Sequence, residues 1–173
     1  MLVDRYRQYR AALADVPAGP VVDYGWSNLP KRLNVIWMPY SQMLDEFTRE
    51  IAKSINQLSD YASRLRAWSG IVAPLTDQEK LDLTHEFIEP IATLAMNLPF
   101  VVRSRFIFAA AHLCHQASRS MDAAWRDDFP LDKEIQFDAA DRYGAAWRNY
   151  GRFKIKLGAC PSNRIFLDEE QAS

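Results

Sequence analysis

Between Met43 and Leu65 the side chains of Met43, Phe47, Ile51, Ile55, Leu58, Ala62 and Leu65 recur at steps of three and four. That period lines them along one face of an α-helix, while Asp45, Glu46, Arg49, Glu50 and Lys53 fill the other side. A long helix with one apolar stripe must bury that stripe against other elements. Three further segments carry the same period. Leu83, Phe87, Ile91, Leu94 and Leu98 form one stripe, and Phe106, Ala110, Leu113, Ala117 and Met121 form another. Ile135, Ala139, Tyr143, Ala146, Tyr150, Phe153 and Leu157 form the last. The expected fold is therefore all-α, an antiparallel up-and-down four-helix bundle with a short N-terminal helix and an irregular N-terminal arm. A single domain over 1–173 is expected, with helix and arm in 1–39, the bundle in 40–157 and a tail in 158–173.

The punctuation sets the helix ends. Pro39 followed by Ser41 predicts the start of the first long helix, and Gly70 its stop. Thr76-Asp77-Gln78-Glu79 has the form of a capping box, so the second helix starts near Asp77. Pro90 is expected to kink that helix. Asn97-Leu98-Pro99 predicts a break, with Pro99 in the first turn of the third helix. Gly144 and Gly151 weaken the fourth helix, each by about 1 kcal/mol relative to Ala. Within residues 1–16, Tyr9, Leu13 and Val16 form a stripe that docks on the body. Prolines and glycines over 17–39 forbid a long helix there, yet Val21, Val22, Tyr24, Trp26 and Leu33 are apolar, so this arm should wrap over the helices, with room for a small hairpin.

Composition narrows the partners. Formal net charge is −1 over 173 residues, so no global field draws the protein to nucleic acid or anionic lipid. Cys114 and Cys160 are the only cysteines and make no disulfide framework. The first ten residues lack the apolar core of a signal peptide. The most apolar window, residues 90–102, falls short of the ~20 residues a spanning helix needs. A cytoplasmic protein without a membrane partner is expected. Neither a phosphate-binding glycine loop nor a nucleophile–base pattern is legible. Arg142, Arg148, Arg152, Lys154 and Lys156 interleave with Trp147, Tyr150 and Phe153. That pattern suits either a base-stacking surface or a helix end with core aromatics, and the second fits its helical spacing better.

The chemistry-bearing residues gather in the second and third helices. If these form a hairpin about Leu98 and Pro99, His85 stands opposite His112 and Asp82 opposite His115. Asp82, His85 and Glu89 then make one stripe, and Arg105, His112, His115 and Arg119 face it. Burying such a seam is costly unless its charges pair, so a satisfied polar network is one reading. A second is a divalent metal site of His85, His112, His115 and Asp82, since Asp-x-x-His and His-x-x-His on helices suit zinc, manganese or iron. Without such a metal, no cofactor is expected.

Arg105-Phe-Ile-Phe-Ala-Ala-Ala-His112 also places an Arg six residues before a His. This resembles the HEPN superfamily, helical bundles whose Arg-x4–6-His motif cleaves RNA without metal, usually at a dimer interface. The resemblance implies that His112 activates the ribose hydroxyl and that Arg105 holds the scissile phosphate. Glu89 or Asp82 would orient the histidine. The sequence thus carries three functional readings. The leading one is a small helical interaction or assembly protein without catalytic activity, working as a homo-oligomer or with a protein partner. The others are a HEPN-like ribonuclease of a toxin or defence system acting on RNA, and a metal-binding bundle.

Overall fold

The computed structural model describes residues 2–25, 34–122 and 124–160. The fold is an all-α helical bundle, with no strand among the described residues. Its helices are α1 (Leu2–Asp15), α2 (Met38–Val72), α3 (Asp77–Leu83), α4 (Glu89–Met121), α5 (Phe137–Gly144) and α6 (Tyr150–Gly158). They distribute over two compact units. One comprises the described parts of Met1–Val22 and Ser54–Pro99, the other those of Asp23–Lys53 and Phe100–Ser173. Both α2 and α4 contribute to each.

The first unit is built on Trp68, which is 1% exposed. Tyr9 of α1 stacks on it at 4.4 Å between ring centroids and 5° between planes, and Phe87 stacks at 5.3 Å. Leu75 and Leu83 are also buried here, with Leu13, Val16 and Ile91 packed around them. The N-terminal stripe thus docks as its spacing predicts. The capping box forms too. Glu79 N–H donates to Thr76 Oγ1, and Glu79 Oε2 accepts from Thr76 N–H. Those Thr76 hydrogen bonds, with Arg5 in support, hold the Glu79 carboxyl below its ordinary value. The arm lies on α2 in this unit. Asn56 exchanges both side-chain amide hydrogen bonds with the backbone of Val22, and Ser59 Oγ donates to Pro20 O. Residues 17–25 of the arm form no strand, and its residues 26–33, where a small hairpin also had room, lie outside the described residues.

In the second unit Phe47 of α2 meets Phe108 of α4 edge-on at 5.7 Å, and Glu50 lies 3.5 Å from Arg105. The numbers run in opposite senses, so these segments are antiparallel. Ile107, Ala111, Ala140 and Leu157 form the buried core around them. Small residues on α4, Ala109 and Ala111, are buried at 5% and 0% exposure. They let neighbouring elements approach closely.

Several helix ends differ from the expectation. α2 begins at Met38 because Pro39 occupies the first turn, where its missing N–H costs nothing. Ser41 is therefore not a cap, and its hydroxyl donates back to Met38 O. At the far end α2 passes through Gly70 and stops at Val72, just before Pro74.

The larger correction concerns the hairpin. The helix runs without interruption over Asp77–Met121. A π turn at Thr84–Ile88, in which Glu89 N–H reaches Thr84 O, precedes Pro90. The widened turn shifts the hydrogen-bond ladder just before Pro90, which has no N–H to donate. Pro99 sits inside α4, which continues through it. The break expected at Asn97–Pro99 is absent, because one proline removes a single ladder hydrogen bond and the helix continues on either side of it.

The fourth helix is divided. A short 3-10 turn spans Asp132–Glu134, and a turn over 145–149 separates α5 from α6. The division is made at Gly144. A Cβ built there lies 2.3 Å from Cδ2 and Cε2 of Tyr150, so the tyrosine ring occupies the space a side chain would need. Gly144 is present for this close approach.

Candidate functional site

Two histidines of α4, one turn apart, form the centre of the candidate site. His112 and His115 project toward the segment that follows α4 and toward α5. Phe129 lies between them, at 4.5 Å from His112 and 4.6 Å from His115 by ring centroids. Phe108 packs on His112 at 4.3 Å, and Tyr143 packs edge-on to His115 at 5.3 Å. The site is thus an aromatic box holding two imidazoles, with carboxylates at its rim.

His115 is 6% exposed and uses both ring nitrogens. Trp125 Nε1–H donates to its Nδ1 at 3.3 Å, and Asp127 Oδ1 lies 3.2 Å from its Nε2. Accepting at Nδ1 places the ring proton on Nε2, facing Asp127. Asp127 also accepts from Arg119 at 3.2 Å, which completes the chain Trp125–His115–Asp127–Arg119. No lone pair of His115 is left for proton abstraction or for a metal.

His112 differs. Its Nε2 is buried and lies 3.5 Å from Asp132 Oδ1, an ion-pair distance without hydrogen-bond geometry. Burial lowers the pKa of His112 below the usual 6.5, with Asp132 opposing the shift. The sign for stability follows. As pH falls through 6.5 the unfolded chain takes up a proton that folded His112 resists, so stability present above that pH is lost below it. His112→Phe, which suits the surrounding rings, is expected to flatten the fall in urea midpoint between pH 7 and pH 5. A wild-type and a variant profile that stay parallel would contradict this.

The remaining residues named from the sequence lie elsewhere. Arg105 pairs with Glu50. His85 Nδ1 lies 2.8 Å from Glu89 Oε2, one turn along the helix, with both side chains more than half exposed. Asp82 accepts from Gln78 Nε2 at 2.9 Å. Asp82, His85 and Glu89 belong to the first unit, and Arg105, His112 and His115 to the second. On a continuous helix rising about 1.5 Å per residue, Asp82 and His85 are many turns from His112 and His115 and cannot stand opposite them. The seam inferred from a hairpin is therefore not formed. No group of three or more His, Cys, Asp or Glu side chains converges as metal donors among the described residues.

Asp127, Asp132, Trp125, Phe129 and Tyr143 were not visible as site residues in the sequence. Asp127-Asp128-Phe129-Pro130 reads as a helix end, and nothing local shows that it returns over α4. The basic and aromatic stretch also resolves. Arg142 pairs with Asp128, Lys154 Nζ donates to Asp141 at 2.9 Å, and Tyr143 and Tyr150 are buried. Burial pushes the Cys114 thiol up to about 11, so it stays protonated and unreactive.

No family model, curated protein or solved structure matches this chain.

Proposed function

We propose that this protein is a helical interaction module that acts by association and that its partner is a second copy of itself. The observation that carries this reading is the middle of the helix Asp77–Met121. Only 6% of an 18-residue apolar window in that helix is buried. Leu94 and Met96 are 51% and 64% exposed, and no charged side chain occurs over 90–102. Leu94 and Met96 project in different directions from the axis, so the stretch is apolar on more than one side. Such a helix needs cover.

By length and composition this helix also satisfies the requirements for a membrane span. The uncharged run is shorter than the ~20 residues a hydrocarbon core demands, and Arg103 and Arg105 follow it at once. A protein surface suits the run better. A two-fold contact is the commonest way for one patch to cover itself. Light scattering after gel filtration is expected to give a dimer mass. The pair Leu94→Glu and Met96→Glu, at exposed positions, should give a monomer with unchanged helicity. A wild-type monomer at high concentration, or wild-type partition into neutral vesicles, would overturn the reading.

One observation favours the ribonuclease as a second reading. Arg105 and His112 lie two turns apart on one face of α4, within one unit, and Asp132 supplies His112 with a carboxylate neighbour. In that reading Asp132 takes the role first given to Glu89 or Asp82. RNA cleavage in the presence of a chelator, abolished by His112→Ala, would establish it; intact RNA would remove it.

A further inference from the structure

The segment 125–132, which links α4 to the turn before α5, lies in the second unit and is separate from the surface at Leu94 and Met96. Its grip on α4 runs through the two histidines. Trp125, Asp127 and Phe129 meet the His115 ring, and Phe129 and Asp132 meet His112. A second attachment ties the same segment to α5. Tyr143 Oη donates to Asp128 O at 3.1 Å, and Arg142 pairs with Asp128. The α5 attachment involves no imidazole, whereas the Trp125 end is held by one.

That end has one chemical requirement. An indole N–H only donates, so its bond to His115 Nδ1 lasts only while Nδ1 keeps its lone pair. Nε2 already carries the ring hydrogen toward Asp127. An added proton therefore has only Nδ1 to occupy, and it competes with Trp125 for one lone pair. Imidazole is the side chain whose charge changes between pH 5 and 8. Among the charged groups around the ring, Asp127 favours the cation, and Arg119, one turn further along α4, opposes it. Burial keeps His112 neutral to lower pH than usual, and Asp132 faces His112 rather than His115. From α5, Tyr143 presents a ring edge, while Arg142 and Asp128 neutralise each other.

We propose that His115 is a pH switch on this segment: protonation at Nδ1 releases Trp125 while Asp127 stays bound to Nε2. The proton comes from solvent and adds to the lone pair. Trp125 keeps its own N–H and loses only the hydrogen bond. In the same step the Asp127 contact becomes an ion pair, so the segment opens at Trp125 and stays pinned at Asp127 and Asp128. Trp125 is 36% exposed while bound, and acid frees the rest of its ring at the rim of the aromatic box.

The test follows indole and imidazole signals of the nitrogen-labelled full chain by nuclear magnetic resonance between pH 8 and pH 5. Trp125→Phe assigns the Trp125 indole, and His115→Gln assigns the His115 ring; circular dichroism checks that each variant folds. In the wild type the Trp125 signal is expected to move with the same midpoint as the His115 ring. Trp125→Phe removes the competitor, so His115 should bind its proton about fivefold more tightly, the worth of an ordinary hydrogen bond. His115→Gln supplies an acceptor and a donor that do not titrate, and should hold the Trp125 signal constant. His112→Phe should leave the transition in place. The proposal is overturned if the wild-type Trp125 signal stays constant or moves with a different midpoint from His115. It is equally overturned if the signal still moves in His115→Gln, if His112→Phe abolishes the transition, or if Trp125→Phe leaves the His115 midpoint unchanged.

Discussion

Replacing Trp68 by alanine is expected to lower the unfolding free energy by about 3–5 kcal/mol, the range for truncating a buried large aromatic. Trp68 is 1% exposed and is the largest fully buried side chain described. Tyr9 and Phe87 both stack on it, so its loss leaves two aromatic rings without this partner and opens a void between α1, α2 and the π turn. The same residue offers a control. Trp68 Nε1 is buried without a hydrogen-bond partner among the described residues. A buried unsatisfied donor costs on the order of 1–3 kcal/mol. Trp68→Phe keeps a ring in the stack and removes that donor, so it is expected within about 1.5 kcal/mol of wild type. Urea titration followed by circular dichroism measures both. If alanine and phenylalanine destabilised equally, the indole N–H would have an undetected partner and the stacking account would fail.

Gly144→Ala should destabilise although alanine is the better helix former. The new methyl would lie 2.3 Å from the Tyr150 ring and 2.5 Å from its Cγ, inside any real contact distance. Tyr150 is 7% exposed and cannot swing clear without leaving the core. Overpacking of this kind costs about 1–3 kcal/mol, against a propensity gain of about 1 kcal/mol. Gly151 makes the opposite case, because a Cβ there meets nothing within 4 Å. Gly151→Ala is therefore expected to stabilise, by up to about 1 kcal/mol. Read by period alone, the two glycines are equivalent weaknesses of one long helix. Opposite signs in the two denaturation curves would establish that Gly144 is a packing position and Gly151 is not.

The contrast shows what the sequence could and could not reveal. Local signals were legible. The Tyr9–Leu13–Val16 stripe, the Thr76–Glu79 capping box and the long amphipathic run from Met43 each depend on residues a few positions apart, and each appears in the structure. Signals that depend on distant residues were not. Asn97-Leu98-Pro99 looks like a helix break because a proline removes one hydrogen bond, but whether a helix survives that loss depends on packing along its whole length. Once the break is absent, the histidines separate. His85 becomes a surface residue beside Glu89, and His112 and His115 acquire partners from Trp125 to Asp132 that no spacing rule connects to them. Likewise, nothing around Gly144 announces that Tyr150 will fold back upon it.

The proposed second copy covers the exposed apolar stretch around Leu94 and Met96 of α4. Oxidative footprinting of the methionines tests it most directly. Met96 and Met121 are 64% and 69% exposed in the single chain, so their intrinsic access to oxidant is nearly equal. Exposed methionine converts to the sulfoxide, and burial protects it. As protein concentration rises, Met96 is expected to become protected several-fold while Met121 continues to react at its dilute rate, and Leu94→Glu should restore the reactivity of Met96. A Met96 rate that does not change with concentration, tracking Met121 throughout, would contradict the account.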